Sequence, residues 1–324
     1  MAHYLVTGGA GFIGSNIVEK LVKDGHQVRV LDNFSTGKES NLKDFWSDIE
    51  LIEGDIRDVA IVEQAMKGID YVLHQAALGS VLRSVEDPME THTVNVNGTL
   101  NLLIAAKKHG VRRFVFASSS SVYGNTPTLP KKENMRPQPV SPYGASKLAA
   151  ESYAIAFYSV YKVPVVGLRY FNVFGPRQNA KSQYAAVIPL FIQAFIDGER
   201  PSIHGDGKQT RDFTYVENVV NANLLACHSS LAPGHVFNIA CGQRYSLLDL
   251  FNVLKNIFHS EIQPMHTDPR PGDIRDSLAD ISLAKEILGY EVKVSFEEGL
   301  KRTVTSFESK TLQQMAITKT VLSQ

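Results

Sequence analysis

The chain of 324 residues is 44% hydrophobic and 20% charged, enough apolar material for a large folded core and too little charge for disorder. Its 33 Lys and Arg balance 33 Asp and Glu, so no net field draws it to nucleic acid or an anionic membrane, and a small molecule is the expected partner. Cys227 and Cys241 lack ligand spacing and argue against a metal site, and with neither a signal-like N-terminus nor a membrane-length apolar run the expected setting is the cytoplasm. In chain order, strands are predicted at 4–7, 27–32, 50–53, 71–74, 113–118 and 165–170, and helices at 12–23, 59–66, 95–108 and 143–161. Such alternation predicts an α/β fold, a Rossmann-type doubly wound parallel sheet with its ligand crevice at the carboxyl ends of the strands. Residues 1–172 would form this dinucleotide-binding domain, 173–308 a smaller C-terminal α/β substrate domain, and 216–240 a segment returning to the first. The Pro- and Lys-rich stretch 125–142 reads as a surface loop arching towards the site, and the polar tail 309–324 as a mobile or foreign remnant without a core face.

The run from Val6 to Gly14 closes the first strand and opens the first helix, where backbone N–H groups and the helix dipole can receive a pyrophosphate. Gly9, Gly11 and Gly14 satisfy G-x-G-x-x-G, while Gly8, Gly11 and Gly14 satisfy the wider G-x-x-G-x-x-G; Phe12 and Ile13 lie between the last two glycines. Asp32, ending the second strand, is placed to accept from adenosine ribose hydroxyls, and its charge would repel a 2′-phosphate. Asn33 follows where a cation would suit NADP, so NAD is the expected cofactor. Asp55 and Ile56 after the third strand could cap the adenine, and Ala76 and Ala77 after the fourth are small enough to let the cofactor lie against the backbone; a plain turn or packing role explains each nearly as well.

Tyr143 and Lys147 stand four apart at the start of a helix, hence on one face. A phenol with a pKa of about 10 is a poor base at neutral pH, but a nearby ammonium and a positive nicotinamide ring favour the phenolate. Lys147 could also hold the nicotinamide ribose. Ser118 to Ser121 end the fifth strand, which puts hydroxyls beside a substrate oxygen that loses its proton. Single hydroxyls also make ordinary turns; the combination on successive sheet elements is better explained by a redox site.

Glycine loop, strand-end Ser and Tyr-x-x-x-Lys in this order resemble the extended short-chain dehydrogenase/reductase family. Val115 to Gly124, Ser141-Pro142-Tyr143 and Arg169 to Gly175 resemble its nucleotide-sugar 4-epimerase branch, part of nucleotide-sugar metabolism and polysaccharide assembly. The resemblance implies Ser119 as catalytic hydroxyl, Tyr143 as base, Lys147 as its modulator, Ser120 against the sugar and Tyr170 beside the cofactor. It also implies a mechanism: Tyr143 takes the proton of the 4-hydroxyl while a resident NAD takes the C4 hydride, the keto sugar turns over, and hydride returns to the opposite face. Dehydratases of this family carry an acid in the Ser-Ser segment; Ser120 and Ser121 stand there instead, which disfavours elimination. By the same resemblance Asn172, Arg211 and Arg270 would hold the diphosphate, Asp273 the uridine ribose, and Val187 and Ile203 the uracil. A homodimer through a four-helix bundle around 99–108 and 146–158 is implied as well.

The phrase from Gln75 to Ser84 resembles epimerases of 2-acetamido sugars, with Leu82 where proline is common and Ser80 near the substrate. Ser277 stands where members restricted to plain hexoses carry a bulky Tyr, leaving room at C2. The leading expectation is an epimerase of UDP-GlcNAc and UDP-GalNAc that also accepts UDP-glucose and UDP-galactose. Arg83 and Arg275 keep a UDP-glucuronate 4-epimerase open, since either could meet a C6 carboxylate. A catalytically idle NAD-binding regulatory relative is the alternative from another class, and it would be expected to lack Tyr143 or Lys147.

Overall fold

The computed structural model describes residues 1–180, 186–268 and 275–322, with side chains through Ser309. Six strands come from the first half of the chain: β1 His3–Thr7, β2 Gln27–Asp32, β3 Ile49–Glu53, β4 Tyr71–His74, β5 Arg113–Ser119 and β6 Val165–Tyr170. Among them run α1 Phe12–Lys23, α2 Val59–Met66, α3 Val81–Glu86, α4 Pro88–His92, α5 Thr99–His109 and α6 Pro142–Tyr161. Later come α7 Val187–Asp197, α8 Val216–His228, α9 Leu247–Ile257, α10 Ser282–Leu288 and α11 Phe296–Leu322. The strand Val236–Ile239 pairs with β6, and from that edge the sheet continues β6, β5, β4, β1, β2, β3, every neighbouring pair parallel.

Alternation along each strand loads two cores, one on either face. Tyr4 and Val6 of β1 pack with Ile17 and Leu21 of α1 and Val219 of α8, whereas Leu5 between them packs with Val62 of α2, Leu102 of α5 and Phe157 of α6. Burying each such side chain is worth about 1.5–3 kcal/mol. In β5 the same rule sends Val115 to the first core and Phe114 and Phe116 to the second, so Ser118 emerges next on the face that α6 covers.

Several predicted boundaries move. The helix expected from 95 begins at Thr99 and is preceded by a π-helical turn, Thr93–Gly98. Helices α3 and α4 had no sequence signal, because Val81, Leu82, Val85 and Met89 are exposed and give no core-facing period. Within the expected surface loop, Lys131 is only 4% exposed; its N–H donates to Leu278 O and its carbonyl accepts from Asp280 N, both at 2.8 Å. Ahead of the tail, Leu300, Val304 and Phe307 apply α11 to the core; no Gly or Pro follows to stop the helix, and its backbone runs on to Leu322.

Candidate active site

A cleft of about 1080 Å³ opens at the carboxyl ends of the strands. Its floor is the turn between β1 and α1, lined by Gly8, Gly11, Phe12, Ile13 and Gly14. Helix α1 begins on Gly11, which offers no capping side chain, so the N–H groups of the first turn are open to an anionic ligand. At Gly8 and Gly14 there is no room for a larger residue. A Cβ on Gly14 would stand 2.1 Å from Gly8 O, and one on Gly8, at φ +68, would stand 2.7 Å from Ala76 N.

Asp32 closes β2 on the cleft wall; its Oδ2 accepts from Ala10 N at 2.9 Å and its Oδ1 from Phe34 N at 2.8 Å. Burial pushes its carboxyl up and the two N–H groups oppose this. Each oxygen keeps a lone pair for a ribose hydroxyl. Asn33, Asp55 and Ile56 line the same end. The Asp55 carboxylate is already held by Arg57, through Nη2 at 2.8 Å and Nε at 3.0 Å, and by Asn33 Nδ2 at 2.9 Å, an arrangement that draws its pKa down. Arg57 also reaches Glu90 of α4 at 2.9 Å. This bracket was missed in the sequence, as were Ser35, Thr36, Gly37 and Lys38, which line the cleft directly after β2. The polar, glycine-containing turn after Asp32 was the available signal.

Ala76 and Ala77 line the cleft after β4. A buried chain of hydrogen bonds holds Ala76 from behind, and its proton count fixes a tautomer. The Thr99 hydroxyl donates to Asn95 O at 2.7 Å, so it accepts from His74 Nε2 at 2.8 Å. His74 Nδ1 then accepts from the Thr7 hydroxyl at 2.7 Å, whose oxygen accepts from Ala76 N at 3.3 Å. Burial, followed by the nearby Lys147 charge, keeps the ring neutral by lowering its pKa to about 3. Gln75, another residue the sequence did not flag, joins Tyr170 and Asn223 of α8 in a closed ring. Tyr170 OH donates to Gln75 Oε1 at 3.2 Å, Gln75 Nε2 to Asn223 Oδ1 at 3.1 Å, and Asn223 Nδ2 to Tyr170 OH at 2.8 Å.

Ser119, Ser120, Tyr143 and Lys147 meet on the opposite wall. Ser141 caps α6 by accepting from Gly144 N at 3.1 Å, with Pro142 as its first residue. The first turn of α6 sits so close on the turn after β5 that a Cβ on Gly144 would stand 2.8 Å from Ser121 O. Tyr143 is thereby brought beside Ser119; burial pushes the phenol up and the neighbouring Ser119 hydroxyl pulls it down. Lys147 Nζ donates to Ala117 O at 3.0 Å and has further N–H groups for a ligand.

Burial lowers Lys147 from 10.5 to about 8. The native ammonium thus holds its proton more weakly than the unfolded one, and the burial penalty is relieved as pH climbs from about 8 to 10.5. Without cofactor, Lys147→Met is expected to melt above the wild type at pH 7, the gap closing as pH passes through that window, while turnover is lost. Melting temperature against pH reads this, and parallel curves would count against it.

Of the residues expected to hold substrate, Ser80, Ser119, Ser120, Tyr143 and Asn172 line the cleft. Ser80 caps α3, accepting from Arg83 N at 3.1 Å, and Asn172 lies at φ +34 with Nδ2 donating to Asp212 O at 3.2 Å. Val187 opens α7 beside the lining Ala186. Ile203 is fully buried in the core. Arg211 pairs with Tyr245, its Nη1 donating to Thr210 O at 2.9 Å and Arg275 O at 3.2 Å, and Ser277 N donates to Thr210 O at 3.1 Å. Arg270 and Asp273 lie outside the described residues.

The uncapped helix start, the glycine turn and the buried carboxylate fit NAD. A family model, NAD dependent epimerase/dehydratase, matches residues 4–240. A putative UDP-glucose 4-epimerase of Methanocaldococcus jannaschii is 40% identical over 302 residues, 93% of this chain and 96% of that protein. The structure of a UDP-N-acetylglucosamine 4-epimerase from Methanobrevibacter ruminantium, in complex with UDP-N-acetylmuramic acid, is 43% identical with a TM-score of 0.92, covering 95% of this chain and 99% of that one. The UDP-glucose 4-epimerase of Thermus thermophilus, in complex with NAD, is 36% identical with a TM-score of 0.86 over 94% and 99% of the two chains. The chain therefore belongs to the NAD dependent epimerase/dehydratase family of extended short-chain dehydrogenases/reductases, in the nucleotide-sugar 4-epimerase branch, with NAD as its cofactor.

Proposed function

We propose that this enzyme is a UDP-sugar 4-epimerase interconverting UDP-GlcNAc and UDP-GalNAc, with UDP-glucose and UDP-galactose as further substrates. The observation that carries the reaction type is Ser119, Tyr143 and Lys147 on one wall, with Ser120 and Ser121 where elimination would need an acid. The acids that line the described cleft, Asp32, Asp55 and Glu90, are bound at the other end to the N–H groups of Ala10 and Phe34 and to Arg57. Tyr143 takes the proton of the 4-hydroxyl and gives it back at the end, and Ser119 steadies that oxygen. Lys147 favours the phenolate by its charge and donates to the cofactor ribose. Bound NAD supplies a reversible hydride acceptor. The glycine turn and Asp32 retain it between the two halves of the reaction. Asn172 and Arg211, with Arg270, hold the diphosphate while the sugar turns; Asp273 takes the uridine ribose, and Val187, beside the lining Ala186, walls the uracil.

For the sugar, the small Ser277, tied through its N–H to the strand that bears Arg211, leaves room for an acetamido group, and Ser80 is a further polar contact at the cleft. A second reading, UDP-glucuronate 4-epimerase, is favoured by Arg83 on the cleft wall. Purified enzyme without added cofactor should invert C4 of UDP-GlcNAc and, more weakly, UDP-glucose; reaction with UDP-glucuronate alone would refute the sugar assignment. Ser277→Tyr is expected to cut turnover of the acetylated substrate about tenfold more than that of UDP-glucose, a pocket-filling effect of roughly 1–3 kcal/mol. Equal loss would remove Ser277 from the argument.

The same proposal includes a cytoplasmic homodimer. No described helix is long and apolar enough to cross a membrane. Ile104 of α5 and Tyr153 and Val160 of α6 are large apolar side chains at 50%, 43% and 68% exposure on the helices expected to pair. Light scattering on the same preparation reads the dimer, and a monomer mass removes it.

A further inference from the structure

Helix α6 meets three consecutive residues at the end of β5, one turn of helix for each. Tyr143 lies beside Ser119 on the cleft wall, Lys147 Nζ donates to Ala117 O at 3.0 Å, and one turn further on Glu151 Oε2 accepts the Ser118 hydroxyl at 2.7 Å. The first two contacts belong to the reacting groups. The third is made by a carboxylate 5% exposed and lodged against Arg169 of β6, whose Nη2 meets Oε1 at 2.5 Å and whose Nε meets Oε2 at 3.1 Å. Arg169 Nη1 then donates to Tyr123 OH at 2.8 Å, and Tyr123 OH to Asn238 Oδ1 at 2.6 Å. Tyr123 ends the helical turn Ser120–Tyr123 that follows Ser119. The network therefore grips the chain on both sides of Ser119.

A buried ion pair is an expensive way to fill space, since desolvation cancels much of its attraction and apolar residues of like volume often serve stability as well. What it offers here is direction. Both carboxylate oxygens and all three guanidinium nitrogens have partners, so Ser118 is held at one depth beneath α6. We propose that Glu151 and Arg169 are positioning residues of the epimerisation, acting through Ser118 to hold Ser119 against Tyr143. This rests on the reading of Ser119 and Tyr143 as the reacting pair.

Ser118→Ala cuts the link and leaves the Glu151–Arg169 pair in place. In the holoenzyme it should lower kcat about 10- to 100-fold, the scale set by misplacing reacting groups by about an ångström, with KM for the UDP-sugar within about twofold. Ser118→Thr keeps the hydroxyl on a residue that suits a strand and should restore kcat to within about threefold. Because Ser118 also lines the cleft, a direct contact with substrate would appear in KM. Wild-type kcat in the alanine variant, a loss carried by KM, or a loss that threonine does not restore overturns the proposal. A fully active Tyr143→Phe enzyme would instead overturn the reading beneath it, whatever Ser118 does.

Discussion

Tyr143→Phe is expected to lower kcat about 100- to 10,000-fold while NAD content and KM for the UDP-sugar stay near wild type. Only one oxygen is lost, and the ring still lines the cleft beside Ser119 and Lys147. On the proposed mechanism, what disappears is the group that accepts the substrate proton, an interaction made in the transition state. The phenol is held above its ordinary range by burial and pulled back by Ser119, so ionisation depends on the positive charge nearby. Steady-state kinetics and NAD released by acid from the purified variant give the two readouts. A loss of less than tenfold in kcat would assign the proton to another group.

Gly14→Ala should yield protein largely free of NAD, destabilised towards the upper end of the roughly 1–3 kcal/mol typical of overpacking. The added Cβ would meet Gly8 O at 2.1 Å and Gly9 Cα at 2.9 Å, and both are backbone atoms with no rotamer to yield. Helix α1 would have to withdraw from the turn, taking its open N–H groups out of register with the pyrophosphate. Gly25→Ala serves as the comparison. At φ +77 with nothing within 4 Å of the added Cβ, it should cost about 1–2 kcal/mol from left-handed backbone alone and keep its NAD. NAD content and urea midpoints of both variants decide the matter, and NAD retained by the Gly14 variant would refute the packing argument.

Strands of the first half were legible because each carries one apolar set per face, and Gly8, Gly11 and Gly14 mark a turn with few chemical substitutes. The walls of the cleft were legible only where a local spacing signals them. Tyr143 and Lys147 are four residues apart, whereas Ser118, Glu151 and Arg169, or Gln75, Tyr170 and Asn223, become neighbours only when the sheet brings distant segments together. Arg57 and Glu90 belong to the same class, separated by 33 residues in the chain. After β6 the alternation is weak, and Ile203 illustrates the cost. An apolar residue beside a turn reads alike as pocket wall or core; the fold buries it completely.

The strand Val236–Ile239, which edges the sheet beside β6, also bears on synthesis of the protein. A growing chain that has emerged only as far as β6 exposes an open parallel edge, with hydrogen-bonding groups waiting for a partner encoded well over sixty residues later. Until then that edge is a template for mispairing. The nascent enzyme should depend on slow emergence or a chaperone across this interval, and a version cut after β6 should aggregate rather than fold as an independent cofactor-binding unit.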